Sequence, residues 1–158
     1  MRYGNTGFTL IELLVTMVVL AIVATIAVPS FQEVIENNRL TSQSNRLVSS
    51  INYARSEAVK IGDVVTMTPV GGDYAGGWCV HLGANCTGTD ILKNFEGARL
   101  AFNPSANKIS FNARGELAQA TDWTVEVKPS GCQTGEVDKQ RVISISLSGR
   151  ASINPENC

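Results

Sequence analysis

The sequence predicts an α+β protein in which one long N-terminal helix, apolar in its first half and amphipathic in its second, packs on an antiparallel β-sheet domain. Three observations predict it. Residues 13–31 carry no charge, residues 32–61 repeat apolar side chains at helical spacing, and beyond Gly62 the chain changes to short β-branched or alternating runs separated by turns. At 158 residues the chain accommodates one globular domain plus this helix. The expected segments are a short leader at 1–7, a membrane-spanning helix at 8–31, and a globular domain at 32–158. That domain divides into amphipathic helix 32–61 and a β-rich part, 62–158.

The leader, Met1 to Gly7, carries one positive charge at Arg2 and ends in glycine. The apolar run that follows contains a single carboxylate, Glu12. The 19 uncharged residues from Leu13 to Phe31 make a helix of roughly 28 Å at about 1.5 Å per residue. That is close to the roughly 30 Å hydrocarbon core of a bilayer. Pro29 sits near the far end, where it is expected to bend or break the helix. A secretory signal cut near Ala24 or Ala27 is the plain alternative. Against it, the run exceeds the roughly 7–15 apolar residues of a signal core. It also keeps a carboxylate that costs roughly 2.5–3.5 kcal/mol at mid-bilayer. A simple anchor accounts for the length but for neither Gly7 nor Glu12.

Gly7-Phe8-Thr9-Leu10-Ile11-Glu12 resembles the class III signal of type IV prepilins and type II secretion pseudopilins. The resemblance implies that a membrane-embedded prepilin peptidase cuts between Gly7 and Phe8 and that Phe8 is then N-methylated. It implies that Glu12 is the assembly carboxylate, paired with the N-terminal amine of a neighbouring subunit. Pro29 matches a proline that the family places at this depth. A buried carboxylate is tolerable where it meets a cation inside a filament, and it then favours one register.

From Glu36 onward 12 Lys and Arg balance 12 Asp and Glu. No strongly basic domain is present, so any nucleic-acid surface must be a local patch. Cys79, Cys86, Cys132 and Cys158 form an even set behind an export signal, which points to disulfides in an oxidising compartment. Three pairings are possible. The expected one joins Cys79 to Cys86 across a short loop and Cys132 to Cys158, stapling the C-terminal tail. Zinc is the competing reading, but there is no CxxC spacing and His81 is the single histidine, so no metal and no cofactor are expected.

In the second half of the helix Leu40, Leu47, Ile51, Ala54, Ala58 and Ile61 recur at spacings of three, four and seven. Polar Asn37, Gln43, Ser44, Asn45 and Asn52 are expected to cover the rest. Gly62 is placed to cap the C-terminus. Strands are then expected at Val64–Val70, Trp78–Leu82, Arg99–Phe102, Lys108–Phe111, Asp122–Lys128 and Arg141–Gly149. In the last of these Ile143, Ile145 and Leu147 share the inward face. Asn112 to Gly115 reads as a turn with Gly115 at a positive φ. Gly71–Gly77 and Pro129–Asp138 read as loops. Trp78 and Trp123 read as core, and His81 as a strand residue.

Ala54-Arg-Ser-Glu-Ala-Val-Lys60 looks like the ARSEA(I/V)K segment of the GspH/FimT family. Gly77-Trp78, Phe111 to Gly115 and a last strand ending in Gly149-Arg150 follow in the order seen there. The resemblance implies the lollipop shape of pilins and a minor pilin or minor pseudopilin. Arg55, Glu57 and Lys60 read as a solvated helix face with a salt bridge worth roughly 0.3–0.5 kcal/mol. The implied function is a minor type IV pilin that primes assembly at or near the pilus tip. Its partners would be prepilin peptidase, other minor pilins, the major pilin and the bacterial inner membrane. It would be a single-pass membrane protein first and a pilus subunit afterwards, its globular domain periplasmic or extracellular.

Two alternatives stand beside this. One is a minor pseudopilin of type II secretion. The other is a DNA-binding minor pilin for natural transformation, since some FimT-like pilins bind DNA through a C-terminal GRxR motif. This chain has Gly149-Arg150-Ala151-Ser152, which keeps the first arginine and lacks the second. Arg150 with Arg141, Lys139, Lys128 and Arg114 would form the DNA patch, with Glu126, Glu136 and Asp138 interleaved. An enzyme is not expected: one histidine and no phosphate loop or ligand cluster leave no catalytic residues.

Overall fold

The computed structural model describes residues 7–158, and of Pro29 and Ser30 it describes the backbone alone. All of the expected leader except Gly7 lies outside the described residues. Helix α1 runs Leu10–Ile61, 52 residues. The chain divides into two compact units, with the boundary between Asn37 and Asn38.

In the first unit α1 turns apolar side chains outward all round, with Leu10 83% and Phe31 68% exposed. A window of mean hydropathy 2.7 makes it long and apolar enough to cross a membrane. The Thr16 and Thr25 hydroxyls donate to the carbonyls of Leu13 and Ile22, at 2.8 and 2.7 Å. Both polar groups are thereby satisfied without water. The helical backbone continues through position 29, so Pro29 does not break it; a proline removes one N–H and leaves the rest of the ladder in place.

In the second unit α1 supplies one wall of the core. Leu40, Leu47, Ile51, Ala54 and Ala58 are fully buried, as the periodicity predicts. Two members of the pattern differ. Ser44, placed among the covering polar residues, is fully buried on the same stripe, because its small side chain fits between Leu40 and Leu47. Ile61, placed on the stripe, is 42% exposed because it lies in the last turn. Gly62 ends the helix at φ +77°, its N–H reaching the Ala58 carbonyl at 2.9 Å.

Among the described residues eight strands form two antiparallel sheets. The strands are β1 (Val65–Pro69), β2 (Gly77–Leu82), β3 (Ile91–Glu96), β4 (Ala101–Pro104), β5 (Ile109–Phe111), β6 (Trp123–Lys128), β7 (Gln140–Ile145) and β8 (Ala151–Glu156). The first sheet is ordered β3-β2-β1-β5 and the second β4-β6-β7-β8. Pairing of Met67 with Val80 and with Ile109 aligns one apolar face of the first sheet. Pairing of Val125 with Ile143 aligns that of the second. These faces and the α1 stripe make one core.

The expected strand Arg141–Gly149 is corrected. It stops at Ile145, and Ser146–Arg150 turns the chain into β8, with the Gly149 N–H bonding the Ser146 carbonyl at 2.8 Å. Leu147 therefore leaves the inward face and is 48% exposed. The loop Gly71–Gly77 is also more than a connector. It buries Tyr74 to 1% exposure, with Trp78, Phe102 and Trp123 at centroid distances of 5.9, 6.2 and 6.1 Å. Tyr74 thus joins rings from both sheets, and burial pushes its phenol well above the ordinary range. Trp78 Nε1 donates to Ser50 Oγ at 2.8 Å, and the Ser50 hydroxyl donates to the Leu47 carbonyl at 2.7 Å. Trp123 Nε1 donates to the Ala106 carbonyl at 2.7 Å. Both indoles are buried and satisfied.

Disulfides join Cys79 to Cys86 and Cys132 to Cys158. The second fastens the end of edge strand β8, assisted by Cys158 N–H donating to the Glu136 carbonyl at 3.0 Å. Its sequence separation is 26 residues, for which loop-closure entropy gives about 3–4 kcal/mol. A Cys132→Ser, Cys158→Ser chain is expected to unfold at lower denaturant, with about 2–4 kcal/mol lost. Unchanged unfolding midpoints would show that the tail does not depend on the staple.

Candidate functional site

The N-terminus of α1 is built by a local cap. Thr9 precedes the first helical residue, and its carbonyl accepts the first helical bond, from Leu13 N–H at 3.2 Å. Its hydroxyl accepts from the Glu12 N–H at 3.3 Å. Threonine at the cap with glutamate at the third helical position is the sequence of a capping box, and this hydroxyl contact is one of its two arms. Sequence reasoning passed over Thr9, although T-x-x-E before an apolar run is the signal for it. Glu12 lies in the first turn, where free N–H groups and the helix dipole favour a negative charge. Around it Leu10, Ile11, Leu13 and Leu14 are 51–83% exposed, and Phe8 is 83% exposed. Gly7 has open space where a Cβ would stand. A carboxylate surrounded by outward apolar side chains is costly to transfer from water unless it meets a cation.

The basic residues fall into two groups. Pairing of Ile145 with Ala151 and of Arg141 with Pro155 puts Arg150 at one end of the second sheet and Arg141 at the other. Four residues of strand separate these ends, about 13 Å at a rise of about 3.3 Å. Lys128 and Lys139 belong with Arg141, since Lys128 ends β6 beside the Val127–Arg141 pair. Arg141 is committed to backbone, its Nη1 donating to the Asp138 and Gln140 carbonyls at 2.8 and 2.9 Å.

At the other end Gly115 and Gly149 touch backbone to backbone, so Arg114 and Arg150 flank one contact. Gly115 has φ +75° and closes the Asn112 turn, its N–H donating to the Asn112 carbonyl at 2.8 Å. Arg114 pairs with Glu116 at 2.8 Å. The Asn112 amide first, and then Arg114, hold the Glu116 carboxyl below its usual range. Arg150 alone of the five is exposed with no bonded partner for its side chain among the described residues.

Arg55 also belongs here, and its reading as a solvated residue is corrected. Its Nε donates to the Gly115 carbonyl at 2.8 Å and its Nη2 to the Ser148 carbonyl at 3.3 Å. One guanidinium from α1 thereby ties together the two turns that carry Arg114 and Arg150. The Lys60–Glu57 pair, at 3.4 Å with the lysine 73% exposed, is the surface bridge expected.

His81 is fully buried in β2. Its Nδ1 lies 3.0 Å from the Leu82 carbonyl, which can only accept, so Nδ1 carries the proton and Nε2 accepts from Thr68 Oγ1 at 2.9 Å. Both nitrogens are committed. Cys132, Glu136 and Cys158 have ligand atoms within 4.8 Å of one another. The two sulfurs are bonded to each other, and a disulfide has no thiolate to offer a metal.

Residues 43–149 match the family described as type II transport protein GspH, and residues 2–28 match the prokaryotic N-terminal methylation motif. No curated protein matches significantly. Among solved structures the chain resembles the type IV minor pilin FimU of Pseudomonas aeruginosa (strain PAO1) in two crystal forms. The P21 form has a TM-score of 0.63 and 29% identity, covering 76% of this chain and 91% of that one. The P65 form has a TM-score of 0.61 and 28% identity, covering 73% and 92%.

Proposed function

Because the chain belongs to the GspH family of minor pilins and pseudopilins and carries its N-terminal methylation motif, we propose that it is a minor type IV pilin that primes pilus assembly at or near the tip. Prepilin peptidase cuts between Gly7 and Phe8, Phe8 is N-methylated, and the chain waits as a single-pass protein of the inner membrane. Assembly with other minor pilins and the major pilin then draws the apolar half of α1 out of lipid and into a helical bundle. Glu12 is the charge that sets its register there, against the N-terminal amine of a neighbour. The observation that carries this reading is Glu12 itself, the one charged residue of positions 8–31, capped into the first turn of α1 among outward apolar side chains. The family is a structural one.

The cut is tested by Gly7→Ala. Gly7 faces open space, so a methyl group does not disturb the fold, and any effect reports recognition by the peptidase. The expected result is precursor-length protein accumulating in the inner membrane and absent from sheared filaments. A mature-length band would show that the leader does not end at Gly7. The type II secretion alternative is favoured by the description of the matched family, and the pilus by the FimU likeness. Recovery of the chain from extracellular filaments supports the pilus; confinement to the periplasm supports the secretion system.

A further inference from the structure

Helix α1 and edge strand β3 enclose an open groove of about 500 Å³, lined by Arg46, Ser49, Lys93, Asn94, Phe95 and Glu96. Two cations are held in it. Lys93 Nζ stands 5.1 Å from the ring centroids of both Tyr53 and Phe95, which meet edge to face at 6.3 Å. The two rings fix the ammonium without neutralising it. Arg46 is anchored through one bond, its Nη1 donating to the Glu96 carbonyl at 3.3 Å, which leaves most of its donors free. Neither groove cation is ion-paired with a carboxylate among the described residues.

The strand beside these cations is also unpaired on one side. β3 ends its sheet, and no described strand bonds its outer edge. Such an edge offers main-chain N–H and C=O groups to an extended segment, and charged side chains beside it select what that segment carries. We infer that the α1–β3 groove docks an extended, carboxylate-bearing segment of a neighbouring subunit, its backbone along β3 and its acidic side chains on Arg46 and Lys93. The inference rests on the reading of this chain as a filament subunit. Charge decides the class of occupant. Single-stranded nucleic acid repeats a charge at every nucleotide and needs a run of cations, whereas this groove has two, with the exposed Glu96 at its rim.

The test uses the full chain in detergent micelles and a fluorescein-labelled hexaglutamate peptide, with binding read as anisotropy at low and physiological ionic strength. Lys93→Gln and Arg46→Gln are each expected to weaken binding about fivefold, and together more than tenfold, as loss of charge-assisted contacts requires. Lys108→Gln, which removes a cation bonded elsewhere (to the Ala84 carbonyl, 3.2 Å), should leave binding unchanged. Both groove residues are exposed, and an unaltered far-ultraviolet spectrum with an unaltered unfolding midpoint shows that the variants fold. The double variant is then scored in sheared filaments, where its amount should fall with its peptide affinity. Unchanged peptide binding in the double variant overturns the proposal. So does weakened peptide binding with normal filament content, or tighter binding of a hexathymidylate through the same two residues. Absence of the unaltered chain from filaments overturns the subunit reading instead, whatever the peptide result.

Discussion

A Glu12→Ala chain is expected to be cut and methylated normally yet to fall about tenfold or more in sheared filaments, because breaking a desolvated ion pair strands its other member. The sign of the effect in the membrane makes this decisive. Removing the carboxylate relieves a cost of roughly 2.5–3.5 kcal/mol in the bilayer, so the anchored precursor becomes more comfortable there, not less. Lost incorporation cannot then be blamed on a failed anchor. The helix also keeps its start, since Thr9 accepts from the backbone N–H of residue 12, which alanine retains. Glu12→Gln should behave like alanine, because charge and not shape makes the contact. Immunoblots of sheared filaments against whole cells measure the ratio, and equal ratios for mutant and unaltered chain would remove Glu12 from assembly.

Gly149→Ala should be among the most damaging single methyl additions in the globular unit. Gly149 has φ +78°, where an L-residue costs of order 1–2 kcal/mol. A Cβ there would collide with the Gly115 carbonyl and stand 3.0 Å from Arg55 Nε. The carbonyl is backbone within a closed turn and the guanidinium is already bonded to it, so neither moves away cheaply. The expected loss is about 3–4 kcal/mol, the conformational term plus the overpacking. Gly88→Ala separates the two. It has a similar φ of +65° but open space around its Cβ, so it should cost only about 1 kcal/mol. Chemical denaturation of the three chains measures the difference; equal losses would mean that the Gly115–Gly149 contact contributes nothing.

How far the fold could be read depended on whether each element obeys a period. Leu40, Leu47, Ile51, Ala54 and Ala58 recur on a helical face because they pack against one continuous wall. β6 alternates cleanly because one of its faces is core. β3 does not alternate. A register shift opposite Val80 and His81 disturbs it, and Lys93 stands on its inward face where an apolar residue would have marked a strand. β8 was missed for the opposite reason. It is an edge strand whose residues from Ser152 to Glu156 are all exposed, with Pro155 inside it, so it displays no pattern for burial to impose.

The candidate site divides in the same way. Gly7, Phe8 and Glu12 were legible because the proposed cut and the proposed assembly carboxylate lie within one short motif, which matches the N-terminal methylation motif locally. Arg55 was not, since its acceptors lie 60 and 93 residues along the chain. The five basic residues proposed as one patch are close in sequence order, but β6 and β7 carry them to opposite ends of a sheet. Sequence reports which charges exist; strand direction decides which of them meet.

The aromatic cluster gives the molecule its own optical reporter. Phe95 stacks on Trp78 at 6.0 Å with 13° between planes, and the same ring lies under Lys93. Trp78 in turn contacts Tyr74, which contacts Trp123 in the second sheet. Both indoles are shielded from water, so their emission is expected to be blue and to respond to small shifts of neighbouring rings. Anything that displaces the ammonium of Lys93 presses on a ring stacked against one of the fluorophores, and intrinsic fluorescence can follow events at β3 without a label.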